Sequence, residues 1–371
     1  MKILKYALPI FFLVAVIFGC EKETPTAPEA PTPEITSIEP DTAYGGEPVI
    51  ITGRNFNPDP EKNIIIFGGG CTRPDEATNT TLNAIAPIVG GTKTVTVKVW
   101  VTRVDCTHLS NALDFTFPQI MRVIDETIAH PMGVAVDEDD NVYVGSQADG
   151  AIYKFTPDGV KTKFADAPVS GAIEFGPNNY LYVCEQGEGK IVRISPDGSS
   201  VEDVVVGGSP IDFDWDAAGN MYIVSNWEGI YKYDIAGNLA QEASIGNPKS
   251  CRIFENYLYV TDIWASTVWR FEITEDGLQN GEVILTPENP LGIEIDVEGT
   301  LYYSKAWEPS IYTLAQDGSE GILFDGQLMT PIRYMTYYGK TMYMVYPGWT
   351  GVGKVMSAYI GVEQAPNYGR Q

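Results

Sequence analysis

A tyrosine-centred pattern recurs six times in the last two thirds of the chain, as NVYVG, YLYVC, NMYIV, YLYVT, TLYYS and TMYMV. Its centres are Tyr143, Tyr182, Tyr222, Tyr259, Tyr302 and Tyr343. A second apolar run lies upstream of each, opening at Pro131, Ser170, Pro210, Pro248, Pro290 and Pro331, with spacings of 39, 40, 38, 42 and 41 residues. Short alternating strands separated by Gly/Asp/Asn turns at a period near 40 are the pattern of a propeller blade. Six copies predict six blades, and hence an all-β fold.

The 371-residue chain has room for more than that ring, and its N-terminus is of a different kind. Lys2 and Lys5 precede an apolar run over residues 7–18, which is short for a membrane span. The run ends in Ile17-Phe18-Gly19-Cys20, which resembles a bacterial lipobox, although Phe18 is bulkier than the usual small residue. The resemblance implies cleavage before Cys20 and lipidation of its thiol, and hence a membrane anchor; the alternative is an ordinary secretory leader that happens to contain a cysteine. Residues 21–33, EKETPTAPEAPTP, form a Pro/Thr/Glu-rich segment suited to an extended tether. Acidic residues directly after the lipid-bearing cysteine resemble the surface-export signals of Bacteroidota lipoproteins. That resemblance implies an outer-membrane location, with the external face expected.

A net charge of −25, from 24 basic and 49 acidic residues, excludes a general nucleic-acid or anionic-membrane binding surface, both of which need basic contacts. Cys71 and Cys106 fall in one small domain and are expected to pair in an exported protein, whereas Cys184 and Cys251 fall in non-adjacent blades and are expected to be buried thiols. With no CxxC and only two histidines, a structural zinc site has no ligand set.

Residues 34–117 read as a separate all-β unit. Pro40, Gly45-Gly46, the run Ile51-Thr52-Gly53-Arg54-Asn55-Phe56 and Phe67-Gly68-Gly69 occur in the order found in IPT/TIG domains, which this segment resembles. The resemblance implies an immunoglobulin-like β-sandwich serving as a spacer or interaction module. The glycines suit turns, and the alternating Ile and Phe suit a sandwich core. The expected division is therefore a leader (1–19), a lipidated cysteine and tether (20–33), the sandwich (34–117) and the propeller (118–371).

Within the propeller, PMGVAVDEDDNVYVG and PLGIEIDVEGTLYYS resemble NHL repeats, a family form of the six-bladed propeller. The acidic residue that usually closes the second strand of such repeats is present only as Glu185 and Asp262, so the copies are divergent. The last repeat lacks an outer strand, because the chain after Ile360 reads GVEQAPNYGRQ. The run QIMRVIDE at 119–126 is free to supply it, which would close the ring and remove both sheet edges.

Two constellations depart from the repeat. Trp227, Trp264 and Trp307 lie five residues after their tyrosines and Trp349 lies six after, all in loops between the second and third strands. Indoles on that rim either form a platform for a glycan or a protein partner, or pack blade against blade. The second set lies on the innermost strand, where the fourth residue after each opening is Ala135, Glu174, Asp214, Arg252, Glu294 or Met335. Two positions earlier stand Asp212 and Arg333, among small residues in the other blades. Glu174, Asp212, Asp214 and Glu294 converging on one channel would suit Ca²⁺, or would satisfy Arg252 and Arg333 as counter-charges. Gluconolactonase-like propellers are similar in blade count and in their axial carboxylates, which implies a metal-dependent lactonase or lyase as the enzymatic alternative. The chain carries no catalytic motif of that family, no Ser/His/Asp arrangement and no phosphate loop, so no catalytic residue is identified. The leading expectation is a non-enzymatic binding module at the outer membrane.

Overall fold

The computed structural model describes residues 31–87, 93–102, 107–325, 327–328, 330–348 and 352–370. The leader, Cys20 and most of the tether lie outside these residues, as do Cys106, and with it the Cys71–Cys106 pairing, and Trp349. The chain folds as an immunoglobulin-like β-sandwich followed by a six-bladed β-propeller.

The sandwich packs two sheets. One contains Glu34–Glu39, Pro48–Arg54, Thr81–Ile85 and Pro74–Ala77; the other is centred on Asn63–Phe67 and Lys93–Thr102, with Leu113–Phe117 also paired to the latter. Alternate residues of these strands turn inward, as in Lys93–Thr102, where Val95, Val97, Val99 and Val101 are buried between exposed or half-buried neighbours. Phe67, Phe115 and Phe117 meet edge to face at its centre, with ring centroids 5.0–5.9 Å apart.

Each propeller sheet is a four-stranded antiparallel meander, here lettered a to d from the axis outward. Blade one runs through Pro131–Val136, Val142–Ser146, Ala151–Phe155 and Lys161–Asp166, and the next four blades repeat the order. The repeated tyrosines sit in strand b. Tyr143, Tyr182, Tyr222, Tyr259 and Tyr302 pair across the ladder with Ala135, Glu174, Asp214, Arg252 and Glu294 of strand a. The a–b turns are held by aspartates that accept backbone N–H groups two and four residues on, at Asp137, Asp216 and Asp296. Gly133 lies at a bulge in strand a with φ 64°, and a Cβ there would stand 2.8 Å from the Gly171 carbonyl oxygen of the next blade.

Blade six is made of Tyr334–Tyr338, Thr341–Tyr346 and Lys354–Tyr359, and its outer strand is Met121–Asp125 from upstream of blade one. Its register departs from the repeat by one residue: Tyr343 pairs with Thr336, so Thr336 rather than Met335 fills the sixth inner slot. The interdomain segment is thereby woven into the ring. Tyr44 of the sandwich stacks on Tyr359 at 3.7 Å, the Tyr359 hydroxyl donates to Glu47 (2.5 Å), and Lys340 approaches the same carboxylate at 3.9 Å.

Candidate functional site

The two ends of the propeller axis are built differently. The end bearing the a–b turns is covered by the C-terminal segment. Gln364 donates from its backbone to the Gly339 carbonyl, Ala365 to that of Ile295, and the guanidinium of Arg370 donates to the Val136 carbonyl. Arg370 also lies against the rings of Phe175 and Tyr338, at 5.2 and 4.9 Å.

Beneath that cover lie the axial carboxylates. Asp212, Asp214, Glu174 and Glu294 are all buried. Arg252 donates to Glu294 (2.7 and 2.9 Å) and to Asp212 (3.1 Å). Asp212 also accepts from the Ser250 hydroxyl (2.6 Å), and Asp214 accepts from the backbone amides of Trp215 and Ile253 (2.7 and 2.6 Å). One Glu174 oxygen accepts from the Asn367 side chain of the covering segment (2.7 Å), and the other has no hydrogen-bond partner among the described residues. Burial raises three of these groups, Glu174 to about 8, Asp214 to about 7 and Glu294 to about 8, against the opposing pull of the Arg252 charge. The voids among these side chains amount to only about 30 and 10 Å³. Of the two arrangements expected for these acids, a Ca²⁺ site or pairing with arginine, the contacts present are of the second kind. Arg252 and backbone amides engage these carboxylates, and among the described residues no group of three or more His, Cys, Asp and Glu side chains is placed to hold a metal ion.

Arg333, the second expected counter-charge, does not join this network. It lies at the opposite mouth, among the b–c loops, in a cavity of about 270 Å³ lined by Lys249, Leu291, Trp307, Ile332, Arg333 and Tyr346 among others. The tryptophans are placed there by loops at the ends of strand b. Trp227 follows Met221–Ser225, Trp264 follows Tyr257–Asp262, and Trp307 follows Leu301–Lys305. Their exposures are 53, 70 and 64 %, so each presents indole surface to solvent. Trp227 and Trp264 meet edge to face at 4.2 Å, and Trp307 forms part of the cavity wall. Asp262 fixes the Trp264 loop by accepting the backbone N–H groups of Trp264 and Ala265 (3.0 and 3.1 Å).

Lys249 joins the indoles to the cavity. It donates to the Asn226 side chain (2.6 Å) and lies 5.8 Å from the Trp227 ring. Burial, with Arg333 nearby, lowers its amine to about 8, and Asp262 only partly opposes this. Lys249 escaped the sequence reading, yet a signal was present: the residues after the other openings are Met132, Gly171, Ile211, Leu291 and Ile332, none of them charged. The acid expected at the end of strand b was also displaced rather than lost in two blades. Asp149 and Glu228, three residues on, bond to Ser146 and Ser225 there.

Comparison with known proteins supports the fold at both levels. The IPT/TIG domain family matches residues 33–117. No curated protein matches the chain in sequence. Similar solved structures include a gluconolactonase from Xanthomonas campestris, 16 % identical with TM-score 0.56, covering 64 % of this chain and 89 % of that one. A structural-genomics protein of unknown function from Bacteroides thetaiotaomicron is 16 % identical with TM-score 0.56, covering 90 % and 99 %. An auxiliary nutrient binding protein from the same species is 11 % identical with TM-score 0.52, covering 90 % and 98 %. At these identities the likeness is one of fold.

Proposed function

We propose that this chain is a lipid-anchored outer-membrane protein, exposed at the cell surface, whose propeller is a non-enzymatic binding module for a glycan or a surface-protein partner. The IPT/TIG-like sandwich acts as the spacer that holds the propeller away from the anchor at Cys20. The observation that carries the reading is the trio Trp227, Trp264 and Trp307, more than half exposed on the loops after strand b, with Trp307 in the cavity wall. Flat apolar faces carrying an N–H donor are suited to stacking on sugar rings or anchoring a partner side chain.

A nutrient-binding role recorded for one protein of similar fold accords with this reading, and the lipobox-like segment at Cys20 supports the location. Among the described residues no helix is long and apolar enough to cross a membrane. The lactonase-like alternative gains little from the axial carboxylates, whose voids of about 30 and 10 Å³ have no room for a sugar lactone. Substituting Trp264 and Trp307 together by alanine tests the proposal. The expected result is loss of binding to glycans or surface partners captured by the wild-type chain, and unchanged binding to all of them would refute it.

A further inference from the structure

The cavity beside the indoles is lined by two basic side chains, Lys249 and Arg333, that close no ion pair among the described residues, with Asp262 acting on Lys249 only from a distance. This is unusual for a chain of net charge −25. Elsewhere in the propeller, basic side chains commonly close ion pairs: Lys154 with Asp137, Lys190 with Glu185 and Asp203, Arg193 with Glu202, Arg252 with Asp212 and Glu294, and Arg270 with Glu282. Lys249 instead meets the neutral Asn226 amide, and Arg333 lies over the Tyr334 ring at 5.5 Å. Both line one cavity, and each makes the other's charge more costly. Lys249 is also partly removed from water, which is unfavourable for an ammonium without a counter-ion.

The remaining wall sets the shape of what would relieve that cost. Leu291, Ile332 and Trp307 give it apolar surface, and Trp227 and Trp264 continue that surface outward. A volume of about 270 Å³ lies near the lower limit of ordinary ligand pockets, so it accommodates a ring-sized unit rather than a folded partner. Two cations, the half-buried Lys249 and the exposed Arg333, beside the Trp307 wall select a ring with one apolar face and an anionic substituent.

We infer that the Trp-bearing mouth binds an acidic saccharide, with Lys249 and Arg333 holding the anionic group of one sugar unit in the cavity and the indoles stacking on adjoining units. This inference rests on the binding-module reading above and specifies its ligand class. Carboxylate and sulfate ester groups share the required chemistry. The planar guanidinium favours either through paired hydrogen bonds, whereas Lys249 acts as a point charge.

The test is calorimetric titration of the intact chain with three oligosaccharides: tri-galacturonate, a sulfated galactan trimer and the neutral galactan trimer. The expected result is binding of at least one acidic trimer roughly tenfold or more tighter than the neutral one, since hydrogen bonds to charged groups contribute about 1.5–3 kcal/mol. Raising the salt concentration should weaken the acidic trimer alone. Lys249→Gln and Arg333→Gln should each erase the preference, while Lys249→Arg keeps it, which separates loss of charge from loss of fold. The two acidic arms distinguish carboxylate from sulfate. Equal wild-type affinity for acidic and neutral trimers overturns the charge inference and leaves the tryptophan reading standing. Binding of none of the three at millimolar concentration overturns the acidic-saccharide inference, whereas the tryptophan reading falls only by the Trp264 and Trp307 substitution above.

Discussion

The two mouths of the propeller are formed by the same ring of inner strands, yet charge is handled in opposite ways at their ends. At the a–b end the acids are buried under residues 364–370: Arg252 serves Glu294 and Asp212, the Ser250 hydroxyl also serves Asp212, and the Asn367 amide serves one oxygen of Glu174, a carboxyl that burial keeps protonated up to about 8. At the b–c end, Lys249 and Arg333 face an open cavity with no carboxylate bonded to either among the described residues. A buried charge that is internally satisfied stabilises or specifies the fold, whereas one left without a counter-ion beside a cavity is available to a ligand. The contrast teaches that the density of ionisable groups is a poor guide to the functional end of this ring. Their unsatisfied remainder is the better one.

The largest effect should come from Arg252→Met, which strands Glu294 and Asp212 in a buried site. A loss of about 3–5 kcal/mol in unfolding free energy is expected, read from denaturant titration. If stability changed by less than about 1 kcal/mol, the sealed end would not be an internally balanced network.

A pH titration sharpens the same side. Glu174, Asp214 and Glu294 hold protons in the native state up to about 7 or 8, whereas unfolded carboxyls release them near pH 4. The native state thus binds more protons between those limits, so stability should fall as pH rises from about 5 to 8. Glu174→Gln removes one of these protonation steps and should flatten the fall by roughly 3–4 kcal/mol, one pKa unit corresponding to about 1.4 kcal/mol. A urea midpoint that rises over this range would contradict the assignment.

At the open end the order of effects reverses, binding before stability. Trp264→Ala with Trp307→Ala should cost about 2 kcal/mol or more in ligand affinity, while the melting temperature shifts by only a few degrees. The smallest effect concerns Lys249. Its amine, facing Arg333 and Asp262, loses its proton as pH rises through about 8, so affinity for an acidic trimer should decline several-fold between pH 7 and 9. Lys249 itself adds stability over the same rise, because the native state then binds fewer protons than the unfolded one. A flat affinity profile would mean that the amine does not face the ligand.

Much of the scaffold was legible because its determinants are local and repeated. The tyrosines marked strand b, and strand-a pairings follow from them in five blades. The missing outer strand of blade six directed attention to 119–126, where Met121–Asp125 now pairs with Lys354–Tyr359. The extra residue between Pro331 and Thr336 was not legible, because register depends on a ladder and not on spacing from a proline. Residues 361–371 read as poor strand material, and residues 361–370 form no strand. Their covering role arises from contacts such as Asn367 with Glu174, 193 residues apart, which no local pattern encodes. Arg333 was grouped with the axial acids by its position in the repeat, yet the direction taken by its long side chain decides which mouth it serves. The tryptophan loops were readable by offset alone, but not the lysine that connects Trp227 to the cavity.

The closing strand has a further consequence for how force passes through the molecule. Met121–Asp125 is both the last link of the ring and the first propeller strand reached from the sandwich. Tension applied from the N-terminal side therefore meets the propeller at its one non-consecutive seam among the described strands. The Tyr44–Tyr359 stack and the contacts of Glu47 with Tyr359 and Lys340 bridge that seam from outside, sharing the load between the two domains. A pull between the two domains would thus be borne by the joint that keeps the ring shut.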